Sequence, residues 1–281
     1  MSKYPDISHH HPVSDWDKIE KNCPFIITKA TQGTSFVDSA MAGIVKQCEK
    51  RGIPYWLYVY LNKGDELAQA KFLVKTCEGK IGKYFVGYAL DVEAGNTASG
   101  VQKAMDYLKT LGCKMMIYTM YAQYDTYKNV IKNRPTKCAW WEARYGLNDG
   151  AYRSNYPCHD GVDLHQFTSN GTCPGISDRI DLNRITGQGK SEKWFMTPKE
   201  EKEEVKVAEK KEGCFAPLKS PGTCEDISDF LHKRGFGAGE HNLSLIAAAN
   251  CKKGKVKNAL FELAKNGNLI KPDGLNKRDK K

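Results

Sequence analysis

Residues 88–95 read Tyr-Ala-Leu-Asp-Val-Glu-Ala-Gly, which puts Asp91 and Glu93 two positions apart at the end of an apolar run that begins at Tyr84. Side chains alternate along a β-strand, so the two carboxylates share one face with Ala89 and Gly87. No Lys or Arg lies between Lys83 and Lys103 to neutralise them locally. Two like charges on one face raise each other's cost unless a site uses them. The use is to keep one carboxyl protonated as an acid while the other serves as an anion.

The elements that must carry such a pair are legible from the pattern of the first 189 residues. Apolar runs rich in β-branched and aromatic residues predict strands at 4–8, 25–31, 53–60, 84–92, 114–119, 138–143 and 162–167, with a short one at 179–183. Helical periodicity fills the gaps at 38–51, 65–77, 97–111 and 121–132, the last ending before Pro135. The final strands are joined by segments rich in Gly, Asn and Pro, with no helical pattern. The expected fold is α/β: an irregular (β/α) barrel, least regular in its last third. Barrels of this kind place chemistry at the C-terminal ends of their strands. Asp6, Asp91, Glu93 and Asp181 all fall at such predicted ends, so we expect them in one site.

Charge divides the chain. Residues 1–189 hold 23 Lys/Arg against 19 Asp/Glu, residues 190–217 hold seven of each, and residues 218–281 hold 13 against 7. The middle block, dense in Glu and Lys, predicts a charged linker, and the last block a small basic module. In that module Ile227, Phe230, Leu231, Leu243, Ile246, Leu260 and Leu263 fit helical stripes, which predicts about three short helices. The overall surplus of +10 favours an anionic partner, but no nucleic-acid-binding signature accompanies it. No apolar run reaches the length of a membrane span. The opening MSKYPDISHH has no apolar core of a secretory signal, so synthesis in the cytoplasm is expected. The ten cysteines are scattered without a CxxC pair and are expected as packed free thiols. Neither metal nor cofactor is expected. The run His9-His10-His11 points its side chains in different directions, and His165 reads as a packed strand residue.

Further motifs resemble a known family. The opening DISHHHPVSDWDKIEKNCPFIITKATQGTSFVDSAM, the DVE at 91–93, WWEARYG from Trp140, HQFTS from His165 and IDLN from Ile180 occur in the order seen in glycoside hydrolase family 25, the N-acetylmuramidase lysozymes. The resemblance covers residues 4–186. It implies that Glu93 is the catalytic acid, that Asp91 is its partner carboxylate, and that Asp6 and Asp181 line the site. Glycosidic cleavage needs a proton for the leaving oxygen and negative charge beside an oxocarbenium-like centre. Strand spacing leaves the stereochemical outcome open. The resemblance implies retention assisted by the substrate's N-acetyl group.

The same resemblance points to substrate-binding residues. Tyr58 falls on the family's Tyr-bearing strand, although the run YWLYVYL makes Tyr60 an equal candidate. Tyr118, Trp141 and Tyr145 also match; they would either stack on sugar faces or fill the core. Gln166 is expected to hydrogen-bond substrate. The C-terminal block is similar to small wall-binding units of phage and prophage endolysins, with a dimerising helix pair as the alternative. The expectation is a lysozyme of endolysin type, with a catalytic barrel at 1–189, a linker at 190–217 and a module at 218–281 that holds a wall polymer. It would act on bacterial peptidoglycan after release from the cell that makes it. The alternatives are a chitinase-like hydrolase and a silent glycan-binding protein. Ala89 and Gly87 occupy face positions where a chitinase would carry more acid.

Overall fold

The computed structural model describes residues 3–198. The module expected at 218–281 and most of the linker lie outside the described residues. Nine strands form one sheet: β1 Tyr4–Ile7, β2 Ile26–Gln32, β3 Phe36–Val37, β4 Tyr55–Tyr60, β5 Phe85–Val92, β6 Lys114–Met120, β7 Cys138–Ala143, β8 Leu164–Gly171 and β9 Ile180–Ile185. Their order is β1-β9-β8-β7-β6-β5-β4-β2-β3, and a further pairing of β1 with β2 closes the ring, leaving β3 as a hairpin partner of β2. The helices are α1 Trp16–Asn22, α2 Met41–Arg51, α3 Glu66–Cys77, α4 Ala98–Thr110, α5 Tyr124–Lys132 and α6 Glu192–Met196.

Two apolar layers hold the barrel. The outer faces of the strands pack against the helices through residues such as Ile26, Leu57, Leu73, Leu90, Met105 and Ile117. The inner faces fill the barrel with Phe25, Ile27, Trp56, Val86, Ala89, Met116, Trp141 and Leu164. Gly87 shows why the inner face of β5 is small: a Cβ there would lie 2.7 Å from the Trp56 ring and 2.2 Å from the Lys114 carbonyl oxygen. Trp56 therefore fills the space that larger β5 side chains would need.

Three features depart from the sequence expectation. The short α1 is absent from it: Asp15 caps this helix by accepting from the N–H groups of Asp17 and Lys18, but Ile19 is its one buried residue. So short a helix shows no periodicity to read. Second, β9 runs antiparallel to both neighbours, β1 and β8. Asp181 thus lies at the N-terminal end of its strand, and the reversal brings it opposite Asp6 in register.

Third, the barrel extends past residue 189, where the linker was expected to start. Ser191 caps α6 by accepting from the Trp194 N–H. Phe195 is fully buried, stacks on Phe25 with ring centroids 5.7 Å apart, and accepts at its carbonyl a 3.0 Å hydrogen bond from the Trp56 indole. The Lys114 ammonium donates to the carbonyls of Trp194 and Thr197, at 2.8 and 2.9 Å. Phe25, Trp56 and Lys114 all lie at or near the N-terminal ends of their strands, so α6 plugs that end of the barrel. The Glu/Lys-rich composition of the block masked this one aromatic turn.

Candidate active site

At the opposite end, strand register sets the acids side by side. Asp6 on β1 pairs in register with Asp181 on β9. Asp91 on β5 lies between Tyr60 on β4 and Tyr118 on β6. Glu93 follows one residue beyond the end of β5 and is half-buried. The four predicted acids therefore converge: Glu93 raises the proton affinity of the other three, and Asp6 raises that of Asp91 and Asp181.

Burial is the main cause of the raised proton affinity of all four. Asp6 is pushed up to about 6, lowered in part by hydrogen bonds from Gln166, Asn183 and Asp181. Asp181 is pushed up to about 9 by burial, then by the Asp6 charge and their shared hydrogen bond. Burial and the proximity of the two carboxyls favour a proton held by the Asp6–Asp181 pair. Asp91 is raised well above the carboxylate range by burial and by the charges of Glu93 and Asp6. Glu93 is raised by burial, with Lys29 opposing. Such a cluster carries protons near neutral pH, as a general acid requires.

Lys29 is one residue beside the acids that the sequence reading missed. Its ammonium donates to Gln32 Oε1 at 2.6 Å and lies over the Tyr60 ring, 5.0 Å from the centroid. Burial lowers its proton affinity, and the charges of Asp91, Asp38 and Glu93 oppose that. The available signal was a lone basic residue inside the apolar strand FIITKAT. The charge that acts on the Asp91–Glu93 pair comes from β2, two strands away in the sheet, so no local window around the pair contains it.

The predicted binding residues divide into two groups. Tyr118 and Tyr145 both donate through their hydroxyls to Gln166 Oε1, at 3.0 and 2.7 Å, and the Gln166 amide donates to Asp6 Oδ2 at 2.8 Å. Trp141 donates its indole N–H to Asn183 Oδ1 at 2.7 Å, and Asn183 donates to the same Asp6 oxygen at 3.2 Å. Trp141 is only 2% exposed and Tyr118 5%, and their rings meet edge to face at 4.7 Å. These two rings support Asp6 and offer a sugar little free face. Tyr58, Tyr60 and Tyr145 are only partly buried and keep surface at the mouth. Tyr58 and Tyr60 both point inward, so the two candidates are successive residues of one face. Asn183 was also missed, although it sits two positions after Asp181 on the same face of its strand.

Asp91 Oδ1 is fully buried in the cluster and accepts no hydrogen bond from the protein. Glu93 is held from behind, since Gln123 donates its amide N–H to the Glu93 carbonyl at 3.2 Å and accepts from the Met120 N–H at 3.1 Å. The histidines stand apart from this chemistry. His9 pairs with buried Asp38 at 2.7 Å, and His165 lies on the outer face of β8 with Nε2 2.9 Å from the Arg144 carbonyl. Glu142, next to Trp141, points outward to His159 at 2.7 Å.

Comparison with known proteins finds relatives of the barrel. Residues 5–176 match the profile of Glycosyl hydrolases family 25. An autolytic lysozyme of Clostridium acetobutylicum is 25% identical over 172 residues, which are 59% of this chain and 50% of that protein. The chain therefore spans about half the length of this curated relative. Among solved structures, the catalytic domain of an endolysin from a bacteriophage of Listeria monocytogenes aligns with a TM-score of 0.54 at 24% identity, covering 66% of this chain and 94% of that one. A glycosyl hydrolase 25 virulence factor of Streptococcus pneumoniae aligns with a TM-score of 0.59 at 20% identity, covering 69% and 91%. These structural likenesses support the shared barrel.

Proposed function

The chain belongs to glycosyl hydrolases family 25, and from that premise we propose that it is a lysozyme which cleaves the β-1,4 bond between N-acetylmuramic acid and N-acetylglucosamine in bacterial peptidoglycan. The observation that carries this reading is the Asp91–Glu93 pair at the barrel mouth, both raised in proton affinity and backed by Asp6 and Asp181. Glu93, half-buried and open to the mouth, protonates the leaving glycosidic oxygen. Burial and the neighbouring acids favour the protonated form of Asp91 in the free site; positive charge developing at the anomeric centre favours its anion, which stabilises that centre. The unpartnered Asp91 Oδ1 suits the amide N–H of a substrate N-acetyl group, whose carbonyl oxygen then attacks the anomeric carbon. Water, giving a proton to the Glu93 carboxylate, then opens the cyclic intermediate at the anomeric carbon, and the two displacements together retain the configuration. Tyr58, Tyr60 and Tyr145 contact the sugars at the mouth, and Lys29 offsets the acid charge.

A chitinase-like reading has less support. Additional acids on the inner face of β5 would fall at Gly87 or Ala89, where Trp56 and the buried interior leave no space for them. The basic block at 218–281 is assigned a wall polymer as its ligand, on its charge of 13 Lys/Arg against 7 Asp/Glu. Digestion of purified walls, followed by mass analysis of the released ends, tests the reading. New reducing ends on muramic acid support it. Reducing ends on N-acetylglucosamine, or cleavage of chitin oligomers in preference to walls, would overturn it.

A further inference from the structure

Seven cysteines fall among the described residues, and two of them meet. Cys23 Sγ and Cys173 Sγ lie 3.3 Å apart, both as free thiols and each only 3% exposed. They are 150 residues apart in sequence. Cys23 closes α1, its N–H donating to the Ile19 carbonyl at 2.8 Å. Cys173 belongs to the connection that turns the chain from β8 into the reversed β9.

Backbone contacts fix that connection against the start of α1. The Gly175 carbonyl accepts from the N–H groups of Ser14 and Asp15, at 2.8 and 3.2 Å, and Val13 bridges to Ile176. Gly175 has φ +96°, and a Cβ there would lie 2.4 Å from the Asp15 carbonyl oxygen, so the approach requires glycine. The two sulfurs are thus held together by structure that does not depend on them. Shortening their separation to the roughly 2.05 Å of a disulfide needs a shift of about 1 Å, within reach of side-chain rotation.

We infer that Cys23 and Cys173 are a disulfide-forming site, which in an oxidising environment staples the end of α1 to the β8–β9 connection. The oxidant is a small-molecule disulfide. One cysteine thiolate attacks it to form a mixed disulfide and releases one thiol. The second cysteine then attacks the protein sulfur of that mixed disulfide, closing the Cys23–Cys173 bond and releasing the second thiol. Two protein thiols lose two electrons and two protons, and the small disulfide gains them. Either sulfur can donate the hydrogen bond to the other, so the thiol that keeps its proton stabilises the thiolate of its partner. Cys48, Cys77 and Cys138 lie in the apolar core with thiols pushed up to about 12, which disfavours their thiolates.

The bond would join the segment before β2 to the segment that delivers Asp181, closing a loop of 150 residues. Loop closure on this scale stabilises mainly by restricting the unfolded chain. The inference does not depend on which bond the active site cleaves, because its readout is a covalent link.

The test uses the full chain, both as purified and after refolding from denaturant, in a mixture of oxidised and reduced glutathione. Free thiols are then alkylated and the peptides are mapped by mass without reduction. The expected result is a linked Cys23–Cys173 peptide pair and the loss of two of the ten thiols. Relative to the reduced protein, the melting temperature should rise by about 5–15 °C. Cys23→Ser should abolish the rise. Alkylation of all ten thiols after refolding in the redox buffer, or links that join only other cysteines, would overturn the inference.

Discussion

At the scale of single residues, the roles of the acids separate by experiment. Glu93→Gln keeps the shape of the side chain but cannot deliver a proton, so kcat on soluble wall fragments should fall by about 10²–10⁴-fold while binding persists. A loss smaller than tenfold would remove Glu93 from the acid role. Asp91→Asn should cost about 10²–10³-fold through lost charge at the cationic centre. An outcome in which Asp91→Asn is mild and Asp6→Asn severe would mean that the wrong carboxylate has been paired with Glu93. Asp181 makes a different prediction, about stability. Its carboxyl is held at about 9 in the fold against an ordinary value of 3.8, so the native state favours its protonated form. That contribution is complete below the ordinary value and is lost as pH rises through the folded one. The melting temperature should therefore fall by about 5 °C or more between about pH 5 and pH 9. Asp6, raised in the same direction, adds to the trend at its lower end. Asp181→Asn, neutral at every pH, should flatten the profile; an equally steep profile in the variant would place the proton elsewhere.

At the scale of elements, α6 is the least expected part of the barrel and a sensitive one. Phe195→Ala removes a fully buried ring that covers Phe25 and Trp56, at a cost of about 3–5 kcal/mol. Thermal melts should register it as a drop of roughly 10 °C. A chain ending at residue 189 loses the whole plug, including the acceptor for the Trp56 indole, and should be less stable still. A chain ending at Lys202, the last residue of the compact unit that contains the barrel, should melt like the parent barrel. Equal stability of the two truncations would show that α6 contributes nothing to packing. The η-turn at Tyr121–Gln123 has a comparable supporting position, since Gln123 ties the end of β6 to the backbone of Glu93.

At the scale of the whole molecule, the proposal puts catalysis in the barrel and wall binding in the basic block at 218–281. The chain ending at Lys202 should cleave small soluble fragments at the parent rate but lyse intact walls more slowly, because a second tethered binding site raises the local concentration of enzyme. Sedimentation of the full chain with walls should weaken as salt rises if charge dominates. Equal wall binding by both chains at low salt would remove the assignment of the block.

The acids that the fold brings together could be named from the sequence, because strand alternation and ordered motifs are local properties. Asp91 and Glu93 announce themselves as a charged pair closing an apolar strand, and Asp6 and Asp181 stand in similar runs. The barrel followed from the alternation of strands and helices. What the sequence could not supply depends on how distant segments meet. The chain reverses into β9 through a connection that packs against the start of α1, and no feature of IDLN signals strand direction. Lys29 neutralises acids some 60 residues away because β2 and β5 face one barrel interior. Trp141 and Tyr118 match a sugar-binding pattern, yet closure of the ring turns their polar atoms toward Asn183 and Gln166 and buries their faces. Phe195 lies in a block whose average composition is that of a linker, and its burial comes from a pocket built by β2 and β4. Local patterns determine which side chains share a face; only the closed barrel decides which faces meet, and the shifted ionisation of the site arises from that meeting.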